Sequence, residues 1–211
     1  MTPVADTNTR MRVLDAAERL VQERGFNGFS YAHVAGELGI TKASLHYHFA
    51  GKADLGRALI DRYVARFSHQ LDEIDTSSPD APSKLAGYVR LYERVLIDEG
   101  RICLCGMLAA DYRTLPAAMR EAVTAFFEEN EAWLLDVLTD GEAAGQLHLT
   151  GSPRVVAQAI VGGLEGAMLL ARPYGDGLRF RAVAVGLIRG LTGTVLDLAA
   201  PVRRPRTEAA S

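Results

Sequence analysis

Residues 40–52 of the chain read ITKASLHYHFAGK, a stretch of thirteen residues without an acidic side chain and with Lys42 and Lys52 near its ends. Hydroxyl and imidazole groups lie between the lysines, a composition that suits a surface facing phosphates and base edges. Leu45 and Phe49 are four residues apart, so on a helix they share one face and anchor it to a core. The side chains on the other faces, which can point into a major groove, are Lys42, Ser44, Tyr47 and His48.

The flanking residues predict two short helices joined by a tight turn. Ser30 is a natural N-cap for a helix over Tyr31–Leu38, which Gly39 closes, and Thr41 caps a helix over residues 42–49. Two short helices joined by a few residues that include a glycine form a helix-turn-helix. A preceding helix ends at Gly25, where a left-handed backbone is favoured.

Charge alone leaves two interpretations of this segment open. The first 60 residues carry seven Lys or Arg and six Asp or Glu, a net charge of +1, within a chain of net charge -3. A DNA-binding surface must therefore be a local patch, which a dimer would double. The alternative from composition and spacing is an ordinary solvated helix in a small bundle.

A helical period runs through almost the whole chain of 211 residues, 48% of them apolar, which predicts an all-α fold of about nine helices. We expect residues 1–9 to be flexible and residues 201–211 to be a disordered tail. The turn-rich break from Asp75 to Pro82 is the best candidate for a domain joint. The helices predicted beyond the helix-turn-helix cover Lys52 to about Ile74 and residues 83–98, 102–113, 116–143, 153–172 and 177–198.

Several classes of protein are disfavoured by the sequence. The N-terminus lacks the order of a signal peptide, and the longest apolar stretch, Val155 to Ala171, falls short of a membrane span. We therefore expect a cytoplasmic protein with no membrane partner. There is no catalytic triad, phosphate loop, dinucleotide fingerprint or metal cluster, so we expect no enzyme activity, no metal and no cofactor. Carboxylates such as Asp111 and Glu121 are interpreted as solvated.

One block of the sequence carries a family resemblance. Gly25-Phe26, Ser30, residues 34–49, Lys52 and Leu55 together resemble the N-terminal domain of TetR-family (TetR/AcrR-type) transcriptional regulators. The resemblance implies a helix-turn-helix DNA-binding domain at 10–55 and a helical ligand-binding and dimerisation domain at 56–200. It implies a one-component regulator, most simply a repressor that a small hydrophobic or amphipathic effector releases from its double-stranded DNA operator.

The resemblance also implies site residues. The third helix would read the major groove, with Tyr47 and His48 on phosphates or bases, and Lys52 would clamp the DNA backbone. His33, His46 and His48 depart from the residues common in the family, so the operator sequence is not readable from the pattern. The full DNA-binding set is Ser30, Tyr31, Thr41, Lys42, Ser44, Leu45, Tyr47, His48 and Lys52.

The eighth and ninth helices predict a homodimer. Both are rich in large apolar residues and carry glycines at four-residue spacing, which permits close approach of helices. Each glycine costs nearly 1 kcal/mol of helix propensity relative to alanine, so a packing benefit is expected. The alternative is that both helices are simply buried within one chain. The resemblance favours an intersubunit four-helix bundle.

The fifth to seventh helices hold aromatic and Met residues with a few hydroxyl groups. They can line a hydrophobic effector pocket, which the resemblance implies, or form plain core. Glu165, on the otherwise apolar eighth helix, is either a buried acceptor or a solvent-facing side chain. The candidate ligand-binding residues are Tyr88, Tyr92, Cys103, Leu104, Met107, Tyr112, Phe126, Trp133 and Glu165.

The only two cysteines, Cys103 and Cys105, begin the sixth helix. Two residues on a helix are separated by about 200° of rotation, so we expect one thiol inward and one outward, with no mutual disulfide or metal site. The segment 103–110 is similar to one in a TetR-family branch that includes electrophile- and oxidant-sensing repressors. Thiol sensing through Cys103 or Cys105 is the alternative to a structural role.

Overall fold

The structure is a computed structural model that describes residues 3–198, with side chains from Thr7 onward. The described residues are all-helical, which confirms the predicted fold class. Two 3-10 turns, Tyr112–Thr114 and Arg172–Tyr174, and one π-helical turn, Arg94–Asp98, separate some of the helices. The nine helices of this part of the chain are α1 (Pro3–Arg24), α2 (Tyr31–Leu38), α3 (Lys42–His48), α4 (Lys52–Ser77), α5 (Ala81–Glu93), α6 (Leu104–Ala110), α7 (Ala117–Ala143), α8 (Pro153–Ala171) and α9 (Gly177–Thr192).

Local signals place the ends of the first three helices as predicted. Gly25 and Gly39 adopt φ values of 77° and 65°, a region that favours glycine because it has no Cβ atom. The Thr41 hydroxyl caps α3 by accepting a hydrogen bond from the Ser44 N–H at 3.1 Å. The helix-turn-helix is therefore defined by short-range chemistry.

Two predicted boundaries differ from the structure, and a third lies outside it. Pro3 to Thr9 belong to α1, whereas the sequence suggested a flexible segment over residues 1–9. The ninth helix ends at Thr192 and not at 198, because Gly193 turns left-handed with φ 68° and caps it. The tail at 201–211 lies outside the described residues.

The chain divides into two compact units. Their boundaries differ from the single domain boundary after residue 55 that the family resemblance implied. Unit 1 comprises Met1–Arg66 and Glu99–Glu128, so α6 and the start of α7 pack with the helix-turn-helix. Unit 2 comprises Phe67–Asp98 and the described residues from Glu129 onward. The turn between α4 and α5 lies inside unit 2, so the break at 75–82 is not a joint between the units.

In unit 2, α8 and α9 pack closely against each other. A Cβ atom added to Gly163 would lie 2.4 Å from Leu187 Cδ2, so a larger residue here would displace the Leu187 side chain. By length and composition alone, the segment Pro153–Tyr174 could cross a membrane, so the prediction that it is too short was wrong. Because 44% of its apolar window is buried within the structure, packing inside the subunit accounts for only part of its composition.

Candidate nucleic-acid interface

The outer face of α3 presents most of the predicted reading residues. Lys42 is exposed, Ser44 and His48 are half-buried, and Tyr47 is 76% exposed with its ring 5.2 Å from that of His48. The prediction that Leu45 contacts DNA was wrong, because its side chain is completely buried in this conformation. Its spacing from Phe49 indicated this anchoring role, whereas the resemblance placed it on the reading surface.

A depression of about 450 Å³ lies beside this surface, where the beginning of α2 meets α3 and α4. Two ammonium groups and the first turn of α2 meet there, and the N–H groups of a first helical turn have no partner within the helix. Such a concentration of donors and positive charge suits the oxygen atoms of a phosphate. The lining residues are Phe29, Ser30, Tyr31, Ala32, Lys42, His46 and Lys52, four of which were predicted DNA contacts.

Lys52 is held in place within this depression. Its Nζ donates to the carbonyl oxygen of Phe26 at 2.5 Å and lies 4.5 Å from the ring centroids of both Phe26 and Phe29. Burial lowers the pKa of the Lys52 ammonium, and the Asp111 carboxylate partly opposes that change. The ammonium has further N–H donors that an anion could accept, and its role as a clamp stays a prediction.

Tyr31 is tied to α3. Its hydroxyl donates to the carbonyl oxygen of Phe49 at 3.0 Å, and its ring centroid lies 4.8 Å from that of His46. Burial, and then the nearby charge of Asp54, raises the pKa of Tyr31 to about 12. The hydroxyl hydrogen is thus committed within the protein, so a phosphate contact by Tyr31 requires that this bond be exchanged.

The raised pKa of Tyr31 predicts a loss of stability at alkaline pH. A tyrosine titrates near pH 10 when unfolded, so with a folded pKa of about 12 its contribution is complete below pH 10 and disappears as the pH rises towards 12. We expect Tyr31→Phe, which loses about 1 kcal/mol with the hydrogen bond, to show a shallower decline over this interval than the wild type. Thermal unfolding of both proteins against pH checks this, and parallel curves would contradict it.

The three unusual histidines have different roles. His33 Nδ1 accepts a hydrogen bond from the Ser30 N–H at 3.3 Å, as part of the capping of α2. His46 Nδ1 lies 3.1 Å from the Ala50 carbonyl oxygen. His33 and His46 therefore stabilise the helix-turn-helix. His48 is the histidine that lies beside Tyr47 on the outer face of α3.

The candidate effector residues fall into both units. In unit 2, Tyr88 OH donates to Asn130 Oδ1 at 2.9 Å and lies 3.2 Å from Tyr92 OH. Trp133 stacks on Tyr88 with centroids 5.5 Å apart and donates through Nε1 to Asp75 at 2.9 Å. These residues form an aromatic cluster with internal polar groups, and Glu165 is half-buried on α8.

The remaining candidates belong to unit 1. Phe126 and Leu104 are buried, with the Phe126 ring centroid 5.7 Å from that of Tyr63. Met107 is half-buried, whereas Tyr112 is 41% exposed in the turn after α6.

Both cysteines are buried, which corrects the prediction of one inward and one outward thiol. Cys103 is 2% exposed and Cys105 is 0% exposed, and Cys103 is the non-helical N-cap of α6, so the rotation of about 200° between two helical positions does not apply to this pair. Cys103 Sγ accepts from the Gly106 N–H at 3.4 Å and from Tyr63 OH at 3.5 Å.

Exposed apolar side chains are concentrated on α8 and on the turn and helix that follow it. The helices α8 and α9 also carry glycines whose added Cβ atoms would meet no described heavy atom within 4 Å, namely Gly162, Gly166, Gly186 and Gly190. The exposed side chains are Val155 (58%), Leu169 (53%), Leu170 (64%), Tyr174 (63%), Leu178 (70%) and Val183 (47%).

Sequence reasoning did not predict the hydrogen-bond partners of two acidic residues, Glu18 and Asp111. Glu18 is 5% exposed and accepts from Arg62 and Arg66, each at 2.5 Å. Asp111, interpreted as solvated, accepts from the Phe26 N–H at 2.7 Å. These partners lie 44 to 85 residues away along the chain, so no local pattern indicates the pairing.

Comparison with known proteins identifies the class. Residues 13–59 match the family described as bacterial regulatory proteins of the tetR family, and residues 83–186 match the tetracyclin repressor-like C-terminal domain. A crystal structure of a TetR-family transcriptional regulator from Agrobacterium tumefaciens superposes with a TM-score of 0.85 at 32% identity, covering 89% of this chain and 99% of that one. The chain therefore belongs to the TetR family.

Two curated relatives agree with this assignment. The transcriptional regulator AcuR of Cereibacter sphaeroides is 29% identical over 71% of this chain and 70% of its own length. The HTH-type transcriptional repressor NemR of Escherichia coli K12 is 25% identical over 82% of this chain and 88% of its own. Proteins of this family are DNA-binding transcriptional regulators and not enzymes, and they dimerise and bind small effectors.

Proposed function

We propose that this chain is a one-component repressor that grips its operator through the depression between α2, α3 and α4 and reads it with Tyr47 and His48. The observation that carries the proposal is the meeting of Lys42, Lys52 and the first turn of α2 in one anion-binding depression. Residues 10–55 act as the DNA-binding part and residues 56–200 as the effector-binding and dimerising part. The protein works in the cytoplasm, where its operator is.

Selection of bound sequences from a random DNA pool tests this function. The selected sites should be two half-sites related by a two-fold axis, because a dimer presents two reading helices. Two lysines in each of two protomers predict a slope of about −4 for log K against log salt. A slope near zero, or recovery of no enriched sequence, would refute the proposal.

We place the effector site at the aromatic cluster around Tyr88, where Tyr88 is 0% and Tyr92 is 2% exposed, so an effector must separate these rings to enter. Its rings offer apolar contact, and the hydroxyl groups of Tyr88 and Tyr92 with the Asn130 amide offer directional hydrogen bonds. A small amphipathic molecule fits this chemistry. To release the operator, it must bind the DNA-incompetent state more tightly than the competent one.

Trp133 gives this effector site its own signal, because it is the single tryptophan of the chain and stacks on Tyr88. A compound that releases the selected operator should also change the tryptophan fluorescence, and Tyr88→Phe should alter its affinity. Tyr174→Phe, an exposed tyrosine outside the cluster, is the matched control. Release without any change in emission would place the effector elsewhere.

The homodimer is proposed to form through α8 and α9. The exposed leucines and valines of these helices, and glycines open to close approach, support that interface.

Thiol sensing at Cys103 is the second candidate. Its sulfur accepts hydrogen bonds from Gly106 N–H and Tyr63 OH, whereas its 2% exposure limits access to reagents. Titration with a maleimide, followed by operator release from Cys103→Ser and Cys105→Ser, distinguishes the candidates. Unmodified native thiols would exclude this mechanism.

A further inference from the structure

Asp111, the residue directly after α6, binds the turn between α1 and α2. Its Oδ2 accepts hydrogen bonds from the backbone N–H of Phe26 at 2.7 Å and of Asn27 at 3.4 Å. The Asn27 side chain in turn donates to Thr114 Oγ1 at 2.7 Å. The segment that follows α6 is thus joined to the turn that begins the helix-turn-helix.

The opposite end of α6 is bound to the last turn of α1, which directly precedes this turn. Gln22, in the last turn of α1, donates through Nε2 to the carbonyl oxygen of Ile102 at 2.9 Å in a buried setting. Arg101 Nη1 donates to Gln22 Oε1 at 3.2 Å. A displacement of α6 along or across its axis must therefore strain bonds at both of its ends.

Gly25 makes room for the Asp111 carboxylate. A Cβ atom at this position would lie 2.8 Å from Asp111 Oδ2, closer than such atoms are found. The left-handed φ of 77° turns the following N–H groups towards the acid. The glycine thus serves the contact with Asp111 as well as the end of α1.

Phe26 connects Asp111 to Lys52. Asp111 holds the N–H of Phe26, and the carbonyl oxygen of the same residue accepts from Lys52 Nζ at 2.5 Å. The carboxylate also attracts the Lys52 ammonium through space. The position of the ammonium in the anion-binding depression therefore depends on a residue attached to α6.

We propose that Asp111 is a positioning residue for DNA binding, which sets Lys52 against an operator phosphate through Phe26 and makes operator affinity depend on the position of α6. This inference rests on the proposed function, in which Lys52 contacts the operator. It deepens that function by identifying the hydrogen bond through which a shift of α6 would move the helix-turn-helix. The role of Asp111 is not indicated by its local sequence.

The test compares operator binding by the full-length dimer, using a duplex selected from the random pool. The variants are D111A, D111N, K52Q, the doubles D111A/K52Q and D111N/K52Q, and E121A as an exposed-carboxylate control in the same unit. We expect D111A to weaken binding about 30-fold and to reduce the salt slope by about two, one phosphate contact per protomer. D111N keeps an acceptor for Phe26 N–H, so it should lose only about threefold.

The double variants decide whether Asp111 acts through Lys52. In the K52Q background each Asp111 substitution should cost less than about twofold, because the phosphate contact is already lost. Additive losses, or a D111A protein that binds like the wild type or like E121A, would overturn the inference and leave the proposed function intact. If D111A loses its helical circular dichroism, the D111N pair provides the same comparison.

Amide hydrogen exchange tests the hydrogen bond between Asp111 and the Phe26 N–H in the absence of DNA. The Phe26 amide should exchange faster in D111A while the Val34 amide keeps its protection, and unchanged exchange at Phe26 would also overturn the inference. A wild-type protein that selects no DNA would overturn the proposed function itself, and this inference with it.

Discussion

Tyr47→Ala and Lys42→Ala will each weaken operator binding strongly while leaving the dimer folded. Tyr47 is 76% exposed and Lys42 is also exposed, so neither truncation removes core packing. A lost base or phosphate contact costs about 1–3 kcal/mol, and each dimer loses two, so affinity should fall at least about 30-fold. A gel-shift titration at fixed salt measures the loss.

Two further variants separate the contributions to this effect. Tyr47→Phe distinguishes the hydroxyl from the ring, and Lys84→Ala removes an ammonium group from unit 2, outside the proposed interface. Lys84→Ala should bind like the wild type. Unchanged affinity for Tyr47→Ala and Lys42→Ala, with the helical signal preserved, would remove α3 as the reading helix.

Leu170→Glu and Val183→Glu will convert the protein to a monomer. These side chains are 64% and 47% exposed in a single subunit, so the charge is tolerated there, but burying it in an interface of apolar residues is costly. Sedimentation at micromolar concentration should give 22.8 kDa for the variants and twice that mass for the wild type.

When dimerisation is lost, operator affinity should fall by about 100-fold or more, because two half-sites are no longer bound together. Met11→Glu, at a 42% exposed apolar position on α1, is the control and should remain dimeric. A wild-type protein that sediments as a monomer, or a Leu170→Glu variant that remains a dimer, would contradict the interface on α8 and α9.

The extent of prediction from sequence follows the range of the interactions. Helix ends at Gly25, Gly39 and Thr41 depend on neighbours within a few residues, and the sequence placed them correctly. The burial of Cys105 and the hydrogen bond between Asp111 and Phe26 depend on packing between helices far apart in the chain. Helical periodicity shows that a face is apolar, but it does not show which segment covers it.

The candidate DNA site illustrates both cases. The motif identified Lys42, Tyr47 and Lys52, all of which lie on or beside the exposed face of α3. Leu45 was misplaced because the family pattern gives a position in the motif and not the direction of its side chain. The commitment of Tyr31 to the Phe49 carbonyl likewise needed the three-dimensional arrangement.

The open glycines of α8 and α9 have a consequence for how the protein persists at low abundance. Gly162, Gly166, Gly186 and Gly190 together cost about 4 kcal/mol of helix propensity relative to alanine. A subunit without its partner bears that cost without compensation, so mass action should raise the thermal midpoint as protein concentration increases. Dilution would then dissociate the dimer from its operator and expose the unpaired subunit to proteolysis. The lifetime of the repressor would therefore depend on its own concentration.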